Sequence, residues 1–592
     1  MYLTFICIFG SLLILFRFFE AKLISNKLYL YFSVFSFLLL SLFPFFILGP
    51  YSAIGGYDEQ DGQILWYWLL NELGSNEKYI YQYAGGAYSK HAFLSGNEVF
   101  SLYKFISSLL PIWISTTIFK LLGLLILYAG IYQSSRKIFN LPRLQSTYIG
   151  IFAATTTYLP YYFAIGGYGW NISLLSWIPL VFFMEKRKLH LYSKAVVLGI
   201  LSTITSEFFL LIPIAFYSYI VFFIFLYTLK KISFSYHQIL AAIVTSACFF
   251  AGHMLQAREL MEVVNYAARF LYSPFDALTL SDLIYTKTRA ILLSFRPPHF
   301  LIVLTIAIFF ILKFFNKEKI KLLILMISLV FLLPLLLAIS FNLLNIPIAK
   351  NFRWEQLVYI YIAGFPFFLM LLFAENLKKI AGVYTLGVMS VVGISINASA
   401  ALKDMNMVGS NITKTYYAEL FNKIEDKDEY RVVSNRYRPP PGVPLYYGMS
   451  TLDGLKLSSG VRRMYFFKFL NNLKNPHTHR HTVKFKNIGG KINLLKMANV
   501  KYIASNLPVK NLRLIDRIEG LQIKDISSRS YVPNEINEIY LADDMFLYEL
   551  TEVWPMIFSS EIKSSSHSYT ENEYYEEMLK NENFVGLISI ED

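Results

Sequence analysis

Residues 195–229 read AVVLGILSTITSEFFLLIPIAFYSYIVFFIFLYTL, with Lys194 before them and Lys230-Lys231 after. Their reading decides the fold. The hydrocarbon core of a bilayer is about 30 Å thick and takes about 20 helical residues to cross. This run is too long for one crossing and too short of polar residues to lie in water. With basic residues at both ends it must cross and return, so a helical hairpin is predicted. Glu207 is its single charged residue. It reads either as a functional group at membrane depth or as a polar cap at the hairpin tip on the outer surface.

Working outward, apolar segments of similar character recur near 2–18, 28–50, 117–134, 147–168, 172–184, 238–255, 299–316, 320–341, 357–374 and 380–400. With the hairpin they make about twelve membrane segments. The segment 172–184 is too short to span alone and is expected to borrow from its neighbours. Residues 1–18 resemble a signal peptide in apolarity. Arg17 follows the run and no small-residue cleavage pattern comes after it, so an uncleaved helix is expected.

The composition agrees. Over 592 residues, 55% are hydrophobic and 16% charged, and the mean hydropathy is +0.45. A soluble chain carries about 25% charged residues, so a soluble multidomain enzyme is excluded. The net charge of +14 is unevenly spread: residues 401–592 hold 25 basic and 24 acidic residues, leaving +13 on residues 1–400. Positive charge between apolar runs is a membrane-orientation bias rather than a nucleic-acid footprint. Cys7 and Cys248 both lie in apolar runs, so neither a disulfide framework nor a CxxC zinc site is present.

Eighteen of the 29 basic residues before position 401 fall in alternate short loops, at 17–27, 136–143, 186–194, 230–231, 313–321 and 378–379. Those loops are therefore read as cytoplasmic. The opposite, outer face receives the connections 51–116, 256–298 and 342–356 and the tail. From about residue 401 the chain changes character. Short β-like runs (430–433, 500–503 and 545–550) alternate with turn and helix signals, and no further long apolar run occurs. The expected organisation is a polytopic α-helical membrane domain over 1–400 and an extracytoplasmic α/β domain over 401–592.

The outer loops hold the candidate chemistry. After the second apolar run comes Gly55-Gly56-Tyr57-Asp58-Glu59-Gln60-Asp61. Three carboxylates so close repel one another unless a cation or proton relieves them. In a helical continuation Asp58 and Asp61 share a face, as one base and one metal or phosphate-site ligand would; a solvated loop is the plainer reading. Phe352-Arg353-Trp354-Glu355 lies in another outer connection. Arg353 is a bidentate donor suited to phosphate, with Trp354 and Glu355 to hold its fork, although an interfacial anchor has the same composition. Arg258, Glu262, Asn265 and Arg269 would share one face of an interfacial helix, and Arg296 precedes Pro297-Pro298. His477, His479 and His481 alternate as zinc ligands in a strand would, but beside Arg480 and Lys474 they read better as a basic loop. Nothing matches a P-loop, a dinucleotide fingerprint or a nucleophile elbow.

Taken together this layout resembles the C-type (GT-C) membrane glycosyltransferases, and more narrowly the bacterial YfhO-like family. Asp58-Glu59-Gln60-Asp61 is similar to the family's D-x-x-D setting in the first outer loop. Phe352-Arg353-Trp354 is similar to its late Arg-aromatic motif. Leu494-Leu495-Lys496-Met497-Ala498-Asn499-Val500-Lys501-Tyr502-Ile503 resembles its LLN-x-x-x-VKY stretch, and Leu547-Tyr548-Glu549 its LYE strand. This sequence departs in carrying Glu59 within the acidic tetrad. The resemblance implies a bacterial cytoplasmic-membrane enzyme that moves a sugar from a polyprenyl-phosphate carrier to a cell-envelope glycan or lipid on the outer face. Its partners would be that lipid-linked donor, the glycan acceptor and membrane lipids, with no nucleic acid.

In such a reaction Asp58 would be the base and Asp61 its helper, or both would be ligands of a divalent cation, Mg2+ or Mn2+. Arg353 with Glu355, and Arg258, Arg296 and Glu59 around them, would attend the phosphate. Two other classes compete: a lipid or glycan transporter (flippase) and a non-catalytic envelope-assembly protein. A transporter predicts inverted repeats and ionisable groups at the midplane; here no repeat is visible and the polar residues gather on one face.

The charge pattern makes a topology prediction. Cysteines introduced at Ser89 and Ser564, with Cys7 and Cys248 replaced by alanine, should both react with a membrane-impermeant maleimide added to intact cells. Protection of both would reverse the orientation.

Overall fold

The computed structural model describes residues 27–42, 101–154, 170, 173–205, 219–228, 232, 235–254, 281–282, 284–285, 288, 321, 324–325, 328–344, 420–435, 443–455, 461–472, 480–481, 483–485, 491–518 and 544–553. They fall into two compact units, one holding the described residues up to 344 and the other those from 420 onward. The apolar runs at 2–18, 299–316, 357–374 and 380–400 lie outside the described residues.

The first unit is helical. Its described helices are α1 (Lys27–Ser41), α2 (Leu102–Leu109), α3 (Ile112–Lys137), α4 (Arg143–Phe152), α5 (Ser173–Phe183), α6 (Lys188–Thr205), α7 (Tyr219–Thr228), α8 (Tyr236–Gly252) and α9 (Leu333–Leu343). Over Ile114–Lys137, α3 is long and apolar enough to cross a bilayer, with mean hydropathy 1.9; it alone among the described residues passes that test. Arg136 and Lys137 occupy its last turn, where cations favour the helix dipole, and Arg136 donates to the Leu141 carbonyl at 3.0 Å. At Asn140 the chain turns with φ +52°, a conformation asparagine tolerates better than most residues.

Over its described residues α5 covers about 16 Å at 1.5 Å per residue, and it is propped against α3. Trp177 Nε1 donates across to the Ile126 carbonyl at 3.0 Å. Gly130 faces Ser176 so closely that an added Cβ would lie 2.1 Å from its hydroxyl. Pro179 removes a backbone donor inside the helix, and the helix widens to a π turn over Pro179–Phe183.

Helices α6 and α7 cover parts of the stretch read as a hairpin; the residues between them, Glu207 included, lie outside the described residues. After α7 comes α8, opened by a capping box in which Ser235 and Gln238 satisfy each other's backbone N–H groups. The contact between α6 and α8 is made by small residues. A Cβ on Gly199 would come within 2.7 Å of the Cys248 Cβ and 2.8 Å of the Thr245 carbonyl, and one on Gly252 within 2.2 Å of the Thr203 methyl. Thr245 donates across the interface to the Ala195 carbonyl at 3.0 Å. Backbone proximity and interhelical hydrogen bonds of this kind hold helices together where lipid removes the hydrophobic drive.

Elsewhere these helices turn large apolar side chains outward: Tyr31 and Phe35 on α1, Val197 and Ile200 on α6, Leu240 and Phe250 on α8. Faces of that kind are costly in water and cost nothing in hydrocarbon.

The second unit is α/β. Its sheet has the order β2-β1-β5-β7-β6, from β1 (Arg431–Ser434), β2 (Ser450–Thr451), β5 (Val500–Ser505), β6 (Arg513–Ile518) and β7 (Met545–Glu549). Strand β1 lies parallel to β2 and β5, while β7 runs antiparallel to both β5 and β6. A ribbon of β3 (Gly454–Leu455) and β4 (Arg480–His481) stands beside it, and α10 (Val461–Leu470) and α11 (Ile492–Met497) complete the unit.

Side chains alternate across the sheet, as the pleat requires. Val433, Ile503, Phe546 and Tyr548 pack with Phe467, Leu470, Leu494 and Leu495. Val432, Tyr502, Ala504, Met545 and Leu547 pack with Leu420, Phe421, Ile424 and Met449. Both faces are thus covered, which explains the near-continuous apolar runs of the central strands. At the carboxyl ends of the parallel strands, Asn435 donates to the Ser505 hydroxyl at 2.8 Å and accepts from the Phe485 N–H at 3.2 Å. The buried Asp453 carboxylate accepts from the Ser434 N–H at 3.0 Å.

Replacing Gly199 or Gly252 by leucine should force α6 and α8 apart. Overpacking of this sort costs about 1–3 kcal/mol. The detergent-purified full-length variants are expected to unfold several degrees below the wild type in a thermal melt. Unchanged melting would remove the close contact from this account.

Candidate functional site

Between α5, α6, α7 and α8 lies a cavity of 510 Å³, within the range typical of small-molecule sites. Its wall is Leu174, Leu175, Ile178 and Phe182 from α5, Leu198 and Ser202 from α6, Tyr219 and Ile220 from α7, and Ile239, Ala242, Ile243, Thr245, Ser246 and Phe249 from α8. Few polar atoms are on offer there. Ser202 spends its hydroxyl on the Leu198 carbonyl at 2.7 Å, Ser246 on Ala242 at 3.0 Å, and Thr245 bonds to Ala195 and Ala241. Helix-interior serines and threonines commonly bond back to the preceding turn in this way. The Tyr219 ring is held edge-on to Phe182 at 5.5 Å and tilted against Phe183 at 5.1 Å. A hydrocarbon chain is the ligand such a wall suits, because it asks for no hydrogen bond and offers none.

The π turn of α5 contributes Phe182 to one wall, and α6 and α8, in close contact at their glycines, form another.

The residues expected to carry chemistry, Asp58, Glu59, Asp61, Arg258, Arg296, Arg353 and Glu355, all lie outside the described residues, as do His477 and His479. Of the histidine tract, Arg480 and His481 form β4, with His481 opposite Gly454. Among the described residues no three His, Cys, Asp or Glu side chains gather as metal ligands would.

The two stretches of the second unit quoted for the family resemblance are brought together. Val500–Ser505 is β5 and Met545–Glu549 is β7, paired with Tyr502 opposite Glu549 and Ile503 opposite Tyr548. Lys501 ion-pairs with Asp426 at 2.5 Å and with Glu549 at 3.6 Å, and Arg513 reaches Glu549 at 3.0 Å. Tyr502 also donates to Asp426. Partial burial alone would raise the Asp426 carboxyl; the hydrogen bonds from Lys501 and Tyr502 outweigh it and hold it below the usual carboxylate range. The same bond overcomes desolvation at Lys501 and raises its ammonium. Asn499 takes φ +61° and turns the chain from α11 into β5, its carbonyl accepting from the Arg431 N–H at 2.8 Å. These motif residues hold the sheet together.

Sequence reasoning passed over the cavity, since its lining comes from four segments that no spacing connects. It also assigned nothing to Lys120, although a single lysine within the run 117–134 is a visible signal.

No family model matches the chain, and no curated protein matches it. Among solved structures, two cryo-EM classes of the mycobacterial arabinofuranosyltransferase AftD are similar. One has TM-score 0.47 at 11% identity, covering 89% of this chain and 42% of AftD. The other has 0.44 at 9%, covering 88% and 41%. This chain thus spans about two fifths of their length. Both scores are below 0.5.

Filling the cavity tests its use. Ala242→Trp in the purified full-length protein should weaken binding of tritiated farnesol at least tenfold, whereas Leu240→Trp, on an outward-facing position of the same helix, should leave it unchanged. Equal binding by both variants would show that the cavity takes no hydrocarbon.

Proposed function

We propose that this chain is an integral-membrane glycosyltransferase that takes its sugar from a polyprenyl-phosphate carrier and passes it to a cell-envelope glycan or lipid on the outer face. The observation that carries the reading is the apolar cavity among helices whose outward faces suit lipid. A donor with an isoprenoid tail needs hydrocarbon space inside the protein and charged groups at the membrane surface. The cavity offers the first, and the sequence offers the second in the outer loops.

The chemistry follows from those loops. Asp58 accepts the proton of the acceptor hydroxyl as that oxygen attacks the sugar carbon, and the carrier phosphate departs with the bonding pair. Asp61 assists Asp58. Arg353, braced by Glu355, takes the departing charge in a bidentate grip, with Arg258, Arg296 and Glu59 around it. Asp58 is preferred to Glu59 because it follows Gly55-Gly56-Tyr57, an approach that lets backbone and acceptor come close. In a helical continuation it would also share a face with Asp61, with Glu59 about 100° away.

Removal of a general base typically costs 10²–10⁴-fold in rate. Asp58→Asn is therefore expected to abolish envelope-glycan modification at normal membrane abundance. Asp61→Asn should weaken it, Glu59→Gln should be tolerated, and Arg353→Lys should fail, because an ammonium cannot replace the guanidinium fork. Glycan analysis of cells carrying each variant, with abundance checked by blot, reads the outcome. Full modification by Asp58→Asn with loss in Glu59→Gln would make Glu59 the base. Activity in all three carboxylate variants would move the function to lipid transport or assembly.

A further inference from the structure

The turn between α5 and α6 reads Glu185-Lys186-Arg187-Lys188-Leu189-His190. Glu185 ion-pairs with Lys194, on α6, and accepts from the Arg187 N–H at 3.2 Å. The turn's one acid is thus spent within it. Lys186, Arg187 and Lys188 stand exposed, and Leu189 beside them is 79% exposed. Three cations next to an outward leucine suit the boundary between hydrocarbon and anionic headgroups.

The start of α8 lies at the same level. Tyr192, one turn into α6, is hydrogen-bonded to His237 Nδ1 at 3.0 Å. Further along, Ala195 meets Thr245, Gly199 meets Cys248 and Thr203 meets Gly252, so the two helices run side by side in one direction.

Helix rise then gives the depth of the cavity. On α8 its wall runs from Ile239 to Phe249, about 5 to 20 Å from the Tyr236 start. On α6 it takes in Leu198 and Ser202, about 15 and 21 Å from Lys188. On α5 it includes Phe182, four residues before Lys186, and four residues of chain reach at most about 14 Å. The hydrocarbon of one leaflet is about 15 Å deep, half of the whole. The cavity therefore occupies the leaflet that the basic ends mark. A carrier with its phosphate at the opposite face reaches that depth only with the far end of its tail.

The cavity is also open sideways. Ile239 and Ile243 line it yet are 43% and 57% exposed, whereas Phe182 and Phe249 are 3% exposed. An opening between apolar side chains at this depth faces hydrocarbon and admits an acyl chain without breaking a hydrogen bond.

We propose that the cavity takes an acyl chain of an anionic phospholipid from that leaflet, entering past Ile239 and Ile243, with the headgroup phosphate held by Lys186, Arg187 and Lys188. Charge complementarity selects an anionic head over a zwitterionic one, and the depth of the cavity selects a lipid anchored at the basic end. This goes beyond the sugar-transfer reading: it gives the cavity a resident lipid, which the isoprenoid tail of the proposed donor would have to displace.

Native mass spectrometry of the detergent-purified full-length protein tests it, with dioleoyl phosphatidylglycerol, dioleoyl phosphatidylcholine and glycerol phosphate as probes. The wild type should bind phosphatidylglycerol at least tenfold more tightly than phosphatidylcholine. Each basic side chain at an anionic headgroup is worth about fivefold in affinity. Replacing Lys186, Arg187 and Lys188 together by glutamine should therefore bring phosphatidylglycerol down to the phosphatidylcholine level and leave phosphatidylcholine unchanged. Ala242→Trp should weaken both lipids at least tenfold. Equal affinity of the wild type for the two lipids overturns the proposal. So does unchanged phosphatidylglycerol binding by Ala242→Trp, since the lipid would then touch the surface alone. Glycerol phosphate binding as tightly as phosphatidylglycerol also sinks it, because the cations would then take a free phosphate. Should the triple variant fail to insert, Lys188→Gln alone decides, with a severalfold loss expected and no loss overturning. Sugar transfer does not enter this readout. Activity in all three carboxylate variants would defeat the glycosyltransferase reading and leave this site standing, and equal lipid affinities would do the reverse.

Discussion

The close approach of α6 and α8 is the constraint on which the rest of the helical unit depends. At Gly199 and Gly252 the two helices are near enough that a single methyl group would collide with Cys248, Thr245 or Thr203. In a hydrocarbon solvent, side-chain burial contributes little to helix association, so contact must come from close packing and from bonds such as Thr245 to the Ala195 carbonyl. Once that pair is set, one wall of the cavity is set with it. Ser202, Thr245 and Ser246 face the cavity with their hydroxyls already committed to helix carbonyls, which turns nominally polar positions into an apolar lining.

The α/β unit is stabilised by different means. Alternation along β1, β5 and β7 supplies two apolar faces at once, and strands buried on both sides need little else to find their register. The charged residues lie where the sheet meets water. Lys501 between Asp426 and Glu549, with Arg513 on Glu549, links three strands and the turn before β1. Such partly exposed pairs contribute modestly one by one; their value is in tying β5 to β7 and β7 to β6 in a single register. The Asn435–Ser505 and Asp453–Ser434 bonds do the same at the carboxyl ends of the parallel strands.

This division bears on function. The motif stretches in the α/β unit resemble a family of enzymes, yet their side chains are spent on the sheet: Asn499 on a left-handed turn, Lys501 and Glu549 on each other, Tyr548 on the Val509 N–H at 2.9 Å. The helical unit, by contrast, holds the apolar cavity, whose lining belongs to no motif.

Much of the architecture was legible in the chain because it depends on local periodicity. Apolar runs at 28–50, 117–134 and 238–255 carry α1, α3 and α8, and β-like runs at 430–433, 500–503 and 545–550 carry β1, β5 and β7. Solvent decides both patterns, and solvent preference is written residue by residue. The shortness of 172–184 was equally plain. The cavity was not, because a space belongs to all of its neighbours. It needs α5 to meet α6 and α8, α6 and α8 to touch through glycine, and Tyr219 to be held by Phe182 and Phe183. The sequence by itself determined which segments seek hydrocarbon and which seek a sheet. Only the tertiary structure decided which side chains meet, because contact between distant segments depends on helix crossing and close packing that no single stretch encodes.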